Sequence, residues 1–146
     1  MIIALASDHA GFELKKKVKN YLEQIGVRTE DFGTFKTDSV DYADYGILAA
    51  RTVAKNKAER GILICGSGIG MSIVANKVKG IRAALCTSPE MAEQSRRHVN
   101  SNILVLGGRI IDNELALKIV DIWLNTPFEG GRHLRRINKI HQLTGC

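Results

Sequence analysis

Apolar residues fall along this chain in two alternating kinds of run. The first kind is short and continuous: Ile2 to Ala6, Gly61 to Cys65, Ile81 to Cys86 and Ile103 to Leu106 read as strands buried on both faces. Val27 to Phe32 alternates instead, as a half-buried strand does. The second kind is spaced by threes and fours. Phe12, Leu14, Val18, Tyr21, Leu22 and Ile25 mark a helix that stops at Gly26, and Tyr42 to Lys57 is an alanine-rich second one. Met71 to Val78 predicts a short helix. Pro89 suits the first turn of a helix running to about Val99, and Asp112 to Leu124 follows with Leu115, Ile119, Ile122 and Trp123 inward. Gly33 to Asp41 is polar and loop-like. Beyond a hinge at Thr126 to Gly131, a last helix carries Arg132, Arg135, Arg136 and Lys139.

Continuous strands alternating with amphipathic helices imply a parallel sheet covered on both faces, because each crossover helix must pack back onto the sheet. The expectation is a doubly wound, five-stranded α/β fold in one domain, residues 1–146. Such folds bind ligands beyond the carboxyl ends of the strands, near the point where strand order reverses. That rule points to Asp8-His9, Asp41-Tyr42, Cys65 to Gly70, Thr87-Ser88 and Gly107 to Arg109.

Composition narrows the functions. With 45% apolar and 25% charged residues, disordered, collagen-like and coiled-coil classes are disfavoured. The first apolar run meets Ser7-Asp8-His9 too early for a secretory or membrane-spanning segment, so the expected location is the cytoplasm, away from membranes. Cys65, Cys86 and Cys146 lack metal-site spacing and suit free thiols, with Cys86 and Cys146 structural or incidental. The net charge of +6 is compatible with an anionic partner. Its basic residues are scattered and aromatics are only 5%, which fits a small phosphorylated ligand rather than nucleic acid. Lys15-Lys16-Lys17 is expected on an exposed part of the first helix.

The segment Cys65-Gly66-Ser67-Gly68-Ile69-Gly70-Met71 leaves a strand and enters a helix, so its amides can face an anion while its glycines admit a ligand close to the backbone. Met71 breaks the dinucleotide-binding glycine pattern, and no Lys-Ser/Thr pair completes a P-loop. At that helix start Cys65 sits where a thiolate is favoured. Position alone leaves two readings open, a reactive base and a small apolar strand end. Asp8 and His9 overhang the same crevice, and Asp8 is also placed to cap the first helix. His98 ends the fourth helix, at the opposite end of the sheet from Cys65, so a catalytic His98 would serve a neighbouring subunit. Arg132, Arg136 and Lys139 share a helix face, as a phosphate clamp or as a solvated surface.

Taken together, Asp8-His9-Ala10-Gly11, Asp31-Phe32-Gly33, Asp41-Tyr42, CGSGIG, Asn76-Lys77, His98, Leu106-Gly107-Gly108-Arg109 and Phe128-Glu129-Gly130-Gly131-Arg132-His133 resemble the ribose-5-phosphate isomerase B family across essentially the whole chain. The resemblance implies a Rossmann-like homodimer, sometimes paired into tetramers. It implies interconversion of ribose 5-phosphate and ribulose 5-phosphate in the pentose phosphate pathway, through an enediolate and with neither cofactor nor metal. On it, Cys65 is the base and the amides of Ser67, Gly68, Ile69 and Gly70, after Gly66, form an anion hole. His98 opens the furanose ring with help from Asp8. His9, Arg132 and Arg136 hold the phosphate, Arg109 joins them from the partner subunit, and Tyr42 packs beside the sugar. An open-chain aldose that loses its C2 proton and regains one at C1 needs one base and prearranged donors for the oxyanion, which this set supplies.

Three residues depart from the family pattern: Ser67 stands where Thr is common and keeps the hydroxyl, Ala43 replaces a frequent Pro, and Val99 replaces an Asn whose polar contact it cannot make. Two other readings are a non-catalytic sugar-phosphate binding module and an isomerase of a six-carbon phosphate such as galactose or allose 6-phosphate. Cys65, His98 and Asp8 together argue against a mere binder, and the cysteine with the full arginine set favours the pentose.

Overall fold

The computed structural model describes residues 1–146. Strands β1 (Ile2–Ser7), β2 (Arg28–Asp31), β3 (Arg60–Cys65), β4 (Ala83–Leu85) and β5 (Ile103–Gly107) alternate with helices α1 (Phe12–Gln24), α2 (Tyr42–Ala54), α3 (Ile69–Asn76), α4 (Pro89–Val99) and α5 (Asn113–Asn125), and α6 (Arg132–Thr144) closes the chain. The strands form one sheet in the order β2-β1-β3-β5-β4, and every pairing is parallel.

The continuous apolar strands serve two cores by alternation. Ile3, Leu5, Ile62, Ile64, Leu104 and Leu106 point to one face, where Leu14, Val18 and Leu22 of α1 and Ile119, Val120 and Trp123 of α5 cover them. Ala4, Ala6, Leu63, Cys65, Ile103 and Val105 point to the other, beneath Ala49, Ala50 and Val53 of α2 and Met71 and Ala75 of α3. Each fully buried Leu, Ile or Val contributes about 1.5–3 kcal/mol, so a one-residue slip of a central strand would exchange two filled layers.

Helices α1 and α3 leave the adjacent strands β1 and β3 toward opposite faces. That divergence opens a crevice beyond the carboxyl ends of these two strands. There the Asp8 amide donates to the Ile64 carbonyl (3.2 Å) and the Gly108 amide to that of Cys65 (2.8 Å). Gly107 is required at the end of β5, since a Cβ there would lie 2.6 Å from the Ser67 carbonyl oxygen.

The structure corrects four sequence expectations. Lys15 is buried, at 1% exposure. Its Nζ donates to Asp31 Oδ1 (2.7 Å) and the Thr34 carbonyl (2.6 Å) and faces the Phe35 ring; Lys16 and Lys17 are exposed as expected. Burial pulls the Lys15 ammonium below its ordinary range although Asp31 opposes this. The fourth strand is shorter than its apolar run, because only Ala83 to Leu85 reach β5. Asp112 lies outside α5 as its cap, accepting from the Leu115 amide (2.8 Å). The N-cap of α1 is Gly11 rather than Asp8; Asp8 Oδ1 accepts from the Gly11 amide (3.0 Å) and so shapes the turn before the helix.

Candidate active site

Cys65 ends β3 with its side chain nearly buried, and its Sγ accepts a hydrogen bond from the Gly68 amide (3.2 Å). The turn that aims this amide depends on Gly68, whose φ of +82° is in the left-handed region and whose absent Cβ leaves room for Leu85 and the Leu106 backbone. Of the amides expected to receive an anion, that of Gly68 is thus directed at sulfur and that of Ile69 at Ser67 Oγ (3.1 Å). The Gly70 amide, in the first turn of α3, has no intrahelical acceptor. A donor aimed at Sγ forms a stronger bond to sulfur that carries charge than to a thiol.

The side chains around this turn come from the same chain. Asp8 is held by Gly11, and His9 Nδ1 accepts from the Val40 amide (3.1 Å). Because a main-chain amide can only donate, neutral His9 carries its proton on Nε2, leaving a donor for an anionic ligand. The Tyr42 ring lies against Gly70, where a Cβ would come within 2.6 Å of Cζ. The Arg109 amide donates to the Gly66 carbonyl (2.9 Å), and its side chain covers Gly66 with Cδ 3.5 Å from where a Cβ would be. Arg109 therefore lies beside the crevice of its own chain.

His98, Arg132 and Arg136 are not brought to this crevice. Register places Cys65 beside Gly107 and Gly61 beside Ile103, four residue steps apart, or roughly 13 Å of strand. His98 precedes Ile103 and lies at the far end. It is fixed there by α4, whose last turn is tied down by buried Arg96: the guanidinium donates to the Ser101 and Thr126 carbonyls and to Asn100 Oδ1. Burial, with Arg60 and Arg82 nearby, pulls that guanidinium down to about 10. Trp123 Nε1 donates to Ser101 Oγ (2.8 Å), which also meets Ser95 Oγ (2.9 Å). Val99 is exposed, and Arg132, Arg135 and Arg136 are exposed on α6.

Sequence reasoning gave no role to two residues of this second group. The His133 ring stacks on His98, with centroids 4.5 Å apart and planes 13° from parallel. Glu129 Oε2 lies 3.5 Å from His133 Nε2, while Oε1 accepts from Arg97 Nε (2.6 Å). The i,i+4 spacing of Glu129 and His133 was the available signal. Ligand atoms of His98, Glu129 and His133 come within 4.8 Å of one another. An ion shared by two imidazoles must lie in both ring planes, however, and planes so nearly parallel do not meet beside the rings, so this arrangement is a stack rather than a chelate.

The Ribose/Galactose Isomerase family profile matches residues 3–140. The chain belongs to this family. It is 45% identical to ribose-5-phosphate isomerase B of Escherichia coli K12 over 138 residues, covering 94% of this chain and 93% of that one. The Clostridium thermocellum ribose-5-phosphate isomerase B structure superposes with a TM-score of 0.98 at 48% identity, covering 99% and 98% of the two chains. A structure of the Mycoplasma genitalium ribose-5-phosphate isomerase B with bound ribulose-5-phosphate matches with a TM-score of 0.95 at 42% identity, covering 99% and 96%. The chain is accordingly a sugar-phosphate isomerase of the B type with the fold of that family. No helix is long and apolar enough to cross a membrane.

Proposed function

We propose that this chain, acting as a single domain, interconverts ribose 5-phosphate and ribulose 5-phosphate in the cytoplasm, with the Cys65 thiolate as the base. The observation that carries the reading is the Gly68 amide aimed at Cys65 Sγ at the strand-order switch, next to Asp8. Sulfur takes the C2 proton of the open-chain aldose and returns it at C1. The oxyanion of the intermediate is met by the free first-turn amides, and by those of Gly68 and Ile69 if bound substrate draws them from Sγ and Ser67 Oγ. His9, through Nε2, and Arg109 face the anionic substrate from the same subunit, and Tyr42 flanks the sugar.

The remaining machinery comes from a second copy. Within one chain His98, Arg132 and Arg136 sit at the far end of the sheet from Cys65. Pairing two copies so that each far end closes the other's crevice supplies the ring-opening acid and the phosphate guanidiniums. This supports a homodimer, or a tetramer of such dimers, with shared sites.

The test is turnover of ribose 5-phosphate by purified protein in excess chelator, alongside Cys65→Ala. The expected result is turnover that resists chelator and is nearly abolished by the substitution; full activity of C65A overturns the assignment of the base.

A further inference from the structure

The group around His98 contains a buried side chain whose chemistry is unaccounted for. His133 is only 6% exposed, and its Nε2 has no hydrogen-bond partner; the nearest carboxylate oxygen, on Glu129, is 3.5 Å away. Burying an imidazole nitrogen without a partner carries a free-energy penalty, which the fold accepts in order to lay this ring flat on His98. Glu129 is anchored twice to α4, by its side chain on Arg97 Nε and by its amide on the Arg97 carbonyl (3.2 Å). The pair is thus built across two elements, the last turn of α4 and the first turn of α6.

We infer that His133, backed by Glu129, is a positioning residue: its ring is the platform that holds the His98 imidazole in the one orientation from which it exchanges a proton with the sugar ring oxygen of a neighbouring subunit's substrate. This rests on the reading of His98 as the ring-opening acid. The second torsion of a histidine is soft, and a half-exposed ring in a last helical turn samples many orientations. A stacked neighbour removes most of them before substrate arrives.

The electrostatics agree with that role. The groups facing the pair are Glu93 and Arg97 on α4, Glu129 on the connection, and Arg132 and Arg136 on α6. Burial, then Arg132, His98 and Arg136, push His133 below its ordinary range, with Glu129 opposing. His133 therefore stays neutral near neutral pH, so that a proton on His98 meets a polarisable ring face rather than a second imidazolium.

Two substitutions separate platform from packing. His133→Leu fills the buried space without a flat face; His133→Phe restores the flat face without nitrogen. Turnover of ribose 5-phosphate is measured beside exchange of the C1 hydrogens of ribulose 5-phosphate in heavy water. That ketose cannot close a furanose ring, because its C5 oxygen carries the phosphate, so its exchange needs the sulfur base and no ring-opening acid. H133L is expected to lower kcat about ten- to a hundredfold, with KM changed less than about threefold and exchange less than about twofold, and H133F to recover most of the loss. The inference is overturned if H133L turns over within about twofold of the wild type, if exchange falls as far as turnover, or if H133F is as poor as H133L. His98→Ala tests the underlying reading separately: wild-type turnover there removes the acid itself, whatever His133 does.

Discussion

The crevice at Cys65 and the cluster at His98 are assembled by different means. At Cys65 the backbone does the work: an amide on sulfur, a left-handed glycine, and strand ends spliced by main-chain hydrogen bonds. At His98 side chains do it, through a stacked ring, a buried guanidinium and a tryptophan–serine chain. A backbone site needs only the right local turn and announces itself as glycines in sequence. A side-chain site depends on elements distant along the chain and shows only when they are packed.

The largest expected effect breaks the two halves apart chemically. Cys65→Ser keeps the shape and an acceptor for the Gly68 amide but replaces the thiol by a hydroxyl that hardly ionises near neutral pH. Turnover of ribose 5-phosphate should fall at least about a thousandfold, and C1 exchange of ribulose 5-phosphate should fall with it, while the melting temperature moves little. His98→Ala should lose turnover yet retain exchange. Equal retention of exchange in both variants would erase the proposed division of labour.

That division also explains what could be read from sequence. The alternation Ile3, Leu5 against Ala4, Ala6 records two buried faces, and CGSGIG records a turn with a positive φ; both are local and legible. Burial of Lys15 is not legible, because its partners, Asp31 at the end of β2 and the Thr34 carbonyl just beyond it, are remote in sequence, and a charge near an apolar helical stripe gives no sign of a remote carboxylate. His133 sat in view within Glu129 to His133, but its stacking on His98 required α6 to fold back over α4, which no local spacing specifies.

Next in size is a restoration. C65A and H98A are each expected to be nearly inactive, yet refolding them together forms mixed dimers in which one site carries both lesions and the other neither. Random pairing should return about a quarter of wild-type turnover. No recovery, with mixed dimers verified by mass, would place both residues in the same subunit's site and overturn the shared arrangement.

A smaller perturbation aims at the side-chain half alone. Trp123 is fully buried and donates to Ser101 Oγ beneath the last turn of α4. Trp123→Phe removes that bond and some volume, at an expected cost of about 1–3 kcal/mol in denaturant unfolding. Turnover of ribose 5-phosphate should drop a few fold through a looser α4, with C1 exchange unaffected. If exchange drops equally, the two halves are mechanically coupled through the sheet and the contrast between them weakens.

The smallest effect is in stability against pH, and it belongs to His133. Its imidazole is held below the ordinary 6.5 in the folded chain by burial first, then by Arg132, His98 and Arg136 against the pull of Glu129. On acidification the unfolded chain therefore binds this proton near 6.5, before the folded chain does, and linkage makes the folded state lose stability as pH falls from there toward the lower folded value. Above that window both forms are neutral and the group adds no slope. His133→Phe cannot titrate, so the drop in melting temperature between about pH 7.5 and about pH 5.5 should be smaller in H133F than in the wild type. Identical drops would show that His133 takes up its proton equally in both states, and that its folded surroundings do nothing to hold it neutral.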